Sequence, residues 1–397
     1  MYQSTRSAMV PCPTEGEADA SNPLADGSVP KPLVLGSGKP VQVQTMWNKP
    51  LEEKQVTDGF ISELEQLVAG GCNLIRFSTP SIVSVKAVGM VAQRLSIPVI
   101  ADIHYDYRIA LECLKYPIAK LRLNPGNIGE MWRVKEVARA ANDKGVAIRI
   151  GVNGGSMPSE LDLAHDAETR QEWLEKSGRN MLQAAVDNME ALASVAFDNI
   201  VVSLKASDPA LVVYANELFA KDSAQGGLGY PFPLHLGVTE AGPLTPSLIK
   251  STLAFSKLLE QGIGDTIRIS ISGEPREEVL AGAELLRSLG LRKGINLISC
   301  PGCARSTFDT AEFTAKLQNK MPHLPVNMDV AVMGCPVNGP GEAKHADLAI
   351  SGAGLNVSLF SKGKLLKNIP SDGAEDVLIR EIEKMAATQT ETSRESV

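Results

Sequence analysis

Three cysteines in the last third of the chain have the spacing of a metal or redox site. Cys300 and Cys303 lie three residues apart in SCPGCARSTFD, ahead of a helical pattern, and Cys335 follows in a turn rich in Gly and Pro. A CxxC pair at a helix start suits a redox dithiol, but that site needs no third cysteine, and structural zinc prefers four Cys or Cys with His. A cuboidal iron–sulfur cluster takes four ligands, and Glu342, seven residues after Cys335, could be a weakly held fourth. The pattern therefore favours an iron–sulfur cluster in which one iron also acts as a Lewis acid.

Five cations form a second set, and each lies in or at the end of a different predicted strand. They are Arg76, Arg122, Arg149, Lys205 and Arg268. Arg grips phosphate oxygens with a planar fork and Lys adds a point charge, so the set predicts a polyanionic ligand such as a diphosphate. The alternative is that each guanidinium group simply pairs with a nearby carboxylate.

Neutral and acidic groups lie near the ends of the same predicted strands. They are Asp102, His104, Asn124, Asn153, His235, Thr239, Glu240 and Ser270. A carboxylate among cations is normally ionised, yet it can still pass a proton to a substrate oxygen on which negative charge develops. A histidine inside a strand, such as His235, is more often a satisfied interior residue than a ligand.

Eight short apolar runs alternate with longer helical patterns. The runs span residues 41–46, 73–78, 97–103, 118–123, 145–152, 199–205, 233–239 and 265–271. Between them apolar residues recur at i, i+3 and i+4, often with a Gly near the end. Eight βα units favour a closed TIM-type (β/α)8 barrel in the α/β class, and an open doubly wound sheet is the alternative. In a barrel the C-terminal strand ends carry the active site, so the five cations would converge on one opening.

The alternation ends near residue 290. Residues 291–397 contain shorter apolar runs and hairpin-like patterns, which predict a smaller α+β iron–sulfur domain. Residues 33–290 form the predicted barrel domain, with the polar stretch 153–168 as a candidate lid. Residues 1–32 are rich in Pro, Ser, Ala and acids without an apolar period, so we expect a disordered acidic tail.

Composition excludes several functional classes. The chain has 39 Lys and Arg against 46 Asp and Glu, a formal net charge of −7, so we expect no general affinity for nucleic acid. No apolar run approaches the roughly 20 residues of a membrane span and no export signal is found, so we expect a cytoplasmic protein. Six cysteines in a long cytosolic chain do not indicate a disulfide framework, and Cys72 and Cys113 suit buried apolar sites.

Several motifs together resemble one enzyme family. The motifs are SCPGCARSTFD, MGCPVNGPGEAKHADLAISG, LRLNPGNIG, IRIGVNGGS, VVSLKASD, HLGVTEAG and IRISISGEP. They are similar to those of the bacterial two-domain 4-hydroxy-3-methylbut-2-enyl diphosphate synthases of the methylerythritol phosphate route to isoprenoids. The resemblance implies reductive ring opening and dehydroxylation of 2-C-methyl-D-erythritol 2,4-cyclodiphosphate to (E)-4-hydroxy-3-methylbut-2-enyl diphosphate and water.

The resemblance also implies a role for each residue named above. Cys300, Cys303, Cys335 and Glu342 would hold a [4Fe–4S] cluster, a substrate oxygen would replace Glu342 on one iron, and Glu240 would donate a proton. The expected substrate-binding residues are Arg76, Arg122, Asn124, Arg149, Asn153, Lys205, His235, Thr239, Arg268 and Ser270. Ferredoxin or flavodoxin would deliver two electrons singly. The family also implies a homodimer in which the cluster domain of one subunit closes the barrel of the other.

Two other functional classes fit part of the pattern. One is a phosphate-binding barrel aldolase or isomerase with a zinc-stabilised appendage, which would turn over without a reductant. The other is an iron–sulfur regulator that binds nucleic acid, and the lack of a basic recognition helix argues against it.

Overall fold

A computed structural model of the protein describes residues 7–10, 33–123, 128–156, 167–224, 232–321, 324, 326–337, 339–342, 344–353 and 355–395. The chain divides into two compact units, Met1–Leu291 and Arg292–Val397. This division lies one residue beyond the boundary expected from the sequence.

The first unit alternates strands and helices. Its strands are β1 (Ser7–Val10), β2 (Leu33–Gly36), β3 (Gln42–Trp47), β4 (Leu74–Ser78), β5 (Val99–Ile103), β6 (Lys120–Leu123), β7 (Ala147–Asn153), β8 (Ile200–Lys205), β9 (His235–Gly237) and β10 (Thr266–Arg268). Its helices are α1 (Asp58–Ala69), α2 (Ile82–Arg94), α3 (Tyr107–Cys113), α4 (Met131–Lys144), α5 (Arg170–Ala193), α6 (Pro209–Ala224), α7 (Leu244–Glu260) and α8 (Pro275–Ser288).

Strands β3 to β10 form a parallel barrel. In the described part of the chain their order is β8-β7-β6-β5-β4-β3-β10-β9. Parallel bridges from Val202 to Leu234 and from Ala206 to Val238 join the two edge strands. The predicted (β/α)8 barrel is confirmed, and the open doubly wound sheet is excluded because the edges meet.

Side chains alternate between the two faces of each barrel strand. Outward residues such as Val43, Ile75 and Ile148 pack with the surrounding helices in one apolar core. Inward residues change character along the strand. Leu74 and Ile100 are buried and apolar near the N-terminal end, whereas the inward positions two residues further along carry charged side chains.

Local sequence determines where the outer helices begin and end. The hydroxyl of Thr57 accepts the N–H of Phe60 at the start of α1, and that of Thr169 accepts the N–H of Glu172 at the start of α5. Gly145 ends α4 with φ of 66°, a left-handed conformation that glycine adopts without steric cost. The two N-caps thus set where the loops after β3 and β7 end, and these loops border the barrel opening.

An antiparallel pair of strands, β1 and β2, lies against the N-terminal end of the barrel. Ala8, Val10 and Leu35 pack with Leu74 and Ile100 in one buried apolar cluster. The expectation of a disordered tail is therefore wrong for residues 7–10, because alternate side chains of this short strand cover apolar surface. The rest of residues 1–32 lies outside the described residues.

The second unit is a five-stranded sheet with helices. Its elements are β11 (Ile295–Ser299), α9 (Thr310–Lys320), β12 (Met328–Met333), α10 (Gly339–Glu342), β13 (Leu348–Ala353), β14 (Asn356–Ser361), β15 (Lys364–Pro370) and α11 (Ala374–Glu395). The first three strands are parallel and the last two add antiparallel hairpins. Leu317, Val330 and Leu378 lie in its apolar core, which is separate from that of the barrel.

Within the described ranges of both units, no helix combines the length and apolar character needed to cross a membrane.

Candidate active site

The barrel interior holds an excess of positive charge. Among the described residues, six buried or largely buried cations occupy inward positions: Arg76, Lys120, Arg122, Arg149, Lys205 and Arg268. The buried carboxylates described in this unit are Asp102 and Glu278. If every group is ionised, six cations against two carboxylates leave four uncompensated positive charges.

Strand register explains why these side chains converge. Asp102, Arg122 and Arg149 are paired neighbours on β5, β6 and β7. Lys205 and Asn153 are paired at the ends of β8 and β7. Since paired residues of parallel strands point to the same face, the barrel brings together cations that are far apart in sequence.

Two guanidinium groups share Asp102. Arg122 Nη1 donates to one carboxylate oxygen at 3.2 Å, and Arg76 Nε lies 3.5 Å from the other. Burial alone would raise the pKa of Asp102, but the two guanidinium groups outweigh burial and hold that pKa below its ordinary value. Burial lowers the pKa of Arg76 to about 10. His104 Nε2 lies 3.9 Å from Asp102, and burial lowers the pKa of His104.

Arg268 forms an ion pair with a carboxylate, which is the alternative to phosphate binding given in the sequence analysis. Its Nε and Nη2 donate to the two oxygens of Glu278 at 3.0 and 2.7 Å, a bidentate geometry. Glu278 lies on α8 and also accepts the hydroxyl of Thr45 at 2.7 Å and the N–H of Ile271 at 3.1 Å. A helix outside the barrel therefore positions one cation of the site.

Lys120, Arg149 and Lys205 are the three of these cations without an ion-pair partner in the described ranges. The fourth excess charge arises because two guanidinium groups share Asp102. Nζ of Lys120 and two nitrogens of Arg149 are buried without a hydrogen-bond partner in those ranges. Burial first, and neighbouring cations second, lower the pKa of each group well below its ordinary value. Such groups are costly to leave unpaired, so an anion that enters this interior would be bound strongly.

Two inward glycines make room for the long cationic side chains. A Cβ at Gly237 would lie 2.5 Å from Lys205 Nζ, closer than real Cβ contacts allow. A Cβ at Gly151 would lie 3.1 Å from Arg122 Nε. The glycines of HLGVTEAG and IRIGVNGGS thus let these side chains cross the neighbouring strand.

Other predicted site residues follow the C-terminal strand ends. Asn153 ends β7 and is half-buried, and Ser270 lies two residues beyond β10. Thr239 and Glu240 follow β9. Glu240 is exposed, and its φ of 53° is a left-handed conformation that is uncommon outside glycine and clusters at functional sites. Asn124 lies outside the described residues, as do residues 157–166 of the candidate lid.

His235 is not an interior histidine whose ring nitrogens are hydrogen-bonded within the described part of the protein, although that is the more common case. It is fully buried, and neither ring nitrogen has a hydrogen-bond partner among the described residues. Burial, followed by the charges of Lys205 and Arg149, lowers its pKa well below the ordinary value. The imidazole is therefore neutral and able to bond to a ligand.

Sequence reasoning missed several polar residues in or next to the interior, among them Gln44, Lys120, Thr266 and Glu278. Lys120 lies two residues before Arg122 on the same strand, so the period of two could have found it. Glu278 lies on a helix, and no strand pattern indicates its contact with Arg268.

The cysteine loops of the second unit meet at one end of its sheet. Cys300 directly follows β11, and its N–H donates to Val332 O in β12 at 3.0 Å. Cys335 lies two residues beyond β12. The N–H of Thr307 donates to Gly334 O at 2.7 Å, so the loop that begins at Cys300 lies against the loop that contains Cys335.

The donor chemistry of these loops fits an iron–sulfur cluster. The three cysteines are free thiols. The N–H of Gly302 donates to Cys300 Sγ at 3.4 Å, and hydrogen bonding from Arg305 lowers the pKa of Cys303. Glu342, at the end of α10, is exposed. In the part of the chain described, however, no three His, Cys, Asp or Glu side chains are already arranged to hold a metal ion.

Comparison with known proteins covers both units. The family model described as the GcpE TIM-barrel domain matches residues 30–283, and the one described as the GcpE protein C-terminal domain matches residues 296–384. Among solved structures, a dihydropteroate synthase from Coxiella burnetii aligns with 65% of this chain and 94% of its own at 12% identity, with a TM-score of 0.46. That likeness is too weak to bear on function.

Several relatives carry the name 4-hydroxy-3-methylbut-2-en-1-yl diphosphate synthase (flavodoxin). The one from Treponema pallidum is 45% identical over 85% of this chain and 82% of its own. Those from Caldicellulosiruptor saccharolyticus and Pseudomonas syringae pv. tomato are 39% and 40% identical, over 90% and 92% of this chain and 97% and 93% of their own. The resemblance seen in the motifs is confirmed, and the chain belongs to the GcpE family of 4-hydroxy-3-methylbut-2-en-1-yl diphosphate synthases.

Proposed function

We propose that the protein catalyses the reductive ring opening and dehydroxylation of 2-C-methyl-D-erythritol 2,4-cyclodiphosphate to (E)-4-hydroxy-3-methylbut-2-enyl diphosphate and water, in isoprenoid biosynthesis. The reaction consumes two electrons and two protons. The observation that carries the proposal is the excess of buried positive charge in the barrel, because a cyclic diphosphate brings the negative charge that this interior lacks. Family membership supports the same reaction.

In the proposed complex the diphosphate lies among the barrel cations. Arg122, Arg149 and Lys205 face the phosphate oxygens, with guanidinium forks for bidentate contacts and an ammonium group as a point charge. Arg76 and Arg268 complete the set, each already oriented by a buried carboxylate. Neutral contacts come from Asn124, Asn153, His235, Thr239 and Ser270.

The same cations favour bond breaking as well as binding. Ring opening breaks a bond between a carbon and a bridging phosphate oxygen, so negative charge develops on the phosphate. Guanidinium groups fixed beforehand stabilise that charge without reorganising. Loss of the hydroxyl group as water requires a proton, and Glu240, which follows β9, is the proposed donor.

The cofactor in this proposal is a [4Fe–4S] cluster. Cys300, Cys303, Cys335 and Glu342 would hold it, and the free thiols and converging loops support this assignment. When bound, the cluster supplies electrons one at a time and a Lewis-acidic iron. Because no complete ligand set is arranged among the described residues, we expect Glu342 and the cysteine side chains to adjust when the cluster is inserted.

We propose flavodoxin as the electron donor, as the names of the relatives indicate, with ferredoxin as the alternative. A cytoplasmic location fits the free thiols of the chain. We also propose a homodimer. Electrons must pass from a cluster in the second unit to a substrate in the barrel, and in a dimer the cluster of one subunit can serve the barrel of the other.

Anaerobic purification with metal analysis and a turnover assay tests the proposed function. We expect brown protein with about four irons per chain. Reduced flavodoxin should drive conversion of the cyclic diphosphate to the linear diphosphate, measured by mass spectrometry. Zinc without iron in anaerobic material, or turnover without any reductant, would contradict the proposal and favour the barrel aldolase or isomerase.

A further inference from the structure

Besides the arginines, four buried polar residues described in the barrel interior have side-chain atoms without partners. In the described residues, no hydrogen bond reaches Lys120 Nζ, either ring nitrogen of His235, either amide atom of Gln44 or the hydroxyl of Thr266. All four residues are at most 1% exposed, whereas the large majority of buried polar groups are paired. We call these four residues the polar floor.

Strand register places Lys120 between the apolar cluster and the cations. Lys120 is paired with Ile100 and Ala147, and both belong to the cluster that covers the N-terminal end of the barrel. It precedes Arg122 by two residues on β6, a separation of about 7 Å along the strand. The four-carbon stem of Lys is of similar length, so its ammonium group is able to span that separation.

An unpaired ammonium group is unfavourable here. Burial, followed by the positive charges of Arg149 and Arg76, lowers the pKa of Lys120 well below its ordinary value. The other titratable group of the polar floor, His235, faces Lys205 as well as the same cations and is neutral. An apolar side chain in place of a buried ion is often neutral or stabilising, so fold stability does not explain a lysine at this position. A counter-charge that arrives with a ligand does explain it.

We propose that Lys120 is a further substrate-binding residue, which donates a hydrogen bond to a phosphate oxygen in the deep part of the barrel interior. The inference rests on the proposed function and deepens it. One phosphate lies deep in the barrel, and Gln44, His235 and Thr266 provide neutral hydrogen-bonding groups around it. The phosphate supplies the negative charge that a protonated Lys120 requires, so substrate binding takes up a proton at this residue.

The test compares wild type with Lys120→Met, which keeps the shape of the stem and removes the charge. Both anaerobic holoenzymes are titrated calorimetrically without reductant, with the cyclic diphosphate and with inorganic pyrophosphate. We expect the Kd of Lys120→Met for each probe to rise about 10- to 100-fold. Proton uptake, measured in buffers of different ionisation enthalpy, should be smaller than in wild type. The Tm of the ligand-free protein should be unchanged or higher, whereas loss of a purely structural lysine would lower it.

The matched control is Lys115→Met. Lys115 is an exposed lysine that precedes the same strand and pairs with Glu112 at the surface. It should change neither Kd nor proton uptake. If Lys120→Met does not fold, Lys120→Gln is judged by the same criteria. Equal Kd and equal proton uptake in variant and wild type would overturn the inference while leaving the proposed function intact. A different result would overturn the proposed function alone: wild type binds pyrophosphate, Lys120→Met binds it more weakly, and neither protein binds the cyclic diphosphate.

Discussion

Asp102 and Glu278 are the two carboxylates described among six cations, and Arg76 and Arg122 both depend on Asp102. Asp102 offsets positive charge while no substrate is bound and fixes the direction of two guanidinium forks. Further carboxylates would neutralise the interior and remove its attraction for an anion. At the scale of single residues, the site therefore combines cations that a carboxylate orients with cations that have no carboxylate partner in the described residues.

Asp102→Asn tests this role. The change leaves two buried guanidinium groups without their shared partner, so the free energy of unfolding at pH 7 should fall by about 3–5 kcal/mol, measured by anaerobic urea denaturation. The pKa of Asp102 is lowered in the folded protein, so its contribution is present above the unfolded-state value of about 3.9 and is lost as pH falls through the folded value. The gap between variant and wild type should therefore narrow below about pH 4.

Asp58→Asn is the control for that change, because Asp58 pairs with Arg94 at the surface. An exposed pair contributes up to about 1 kcal/mol, so this variant should stay close to wild type. Equal losses in the two variants, or a gap that widens towards low pH, would contradict the role given to Asp102.

At the scale of elements, β9 is a short strand whose last residue must be small. Gly237→Ala should push Lys205 Nζ out of its position and raise the Kd for the cyclic diphosphate about 10-fold. Iron content should not change, because the proposed cluster ligands lie in the other unit. Gly59→Ala is the control, since its new Cβ meets nothing closer than 3.8 Å. A similar Kd in both variants would show that Gly237 does not position Lys205.

Strand β1 covers apolar surface at the closed end of the barrel, with alternate residues facing inward and outward. Val10→Asp places a charge in the apolar cluster, so the free energy of unfolding should fall by about 2–4 kcal/mol in urea denaturation. Met9→Asp, on the exposed face of the same strand, should stay within about 0.5 kcal/mol of wild type. Two variants of equal stability would mean that β1 adds nothing to the fold.

At the scale of the whole molecule, substrate and cluster are proposed to bind in different units, and each unit has its own apolar core. Co-expression of Arg122→Ala with Cys303→Ser tests whether the two units cooperate between subunits. Each variant alone should be inactive. If the barrel of one subunit uses the cluster of the other, each heterodimer has one functional site of two. Random pairing makes about half of the dimers heterodimers, so the mixture should recover about one quarter of wild-type turnover. Isolated heterodimers without activity would show that both functions must come from one chain.

The sequence by itself determined the barrel and the identity of most of its cations. Alternation of apolar runs with helical patterns is a local property, and side-chain direction along a strand has a period of two, so Arg122 and Arg149 could be placed inside a barrel from the printed chain alone. Counting back two residues from Arg122 on β6 would also have placed Lys120 among the inward cations. The CxxC motif and its distant third cysteine likewise carry their chemistry in residue type and spacing.

Only the tertiary structure decided which charges are paired. Asp102 serves two guanidinium groups, Glu278 reaches Arg268 from a helix, and Arg149 is left without a carboxylate in the described residues. These relations depend on distances of a few ångströms between elements far apart in the chain, and electrostatic energy changes steeply over such distances when water is excluded. Residues 7–10 show the same limit: four residues carry too little pattern to predict a strand, and the apolar surface that stabilises them exists only after the barrel has formed.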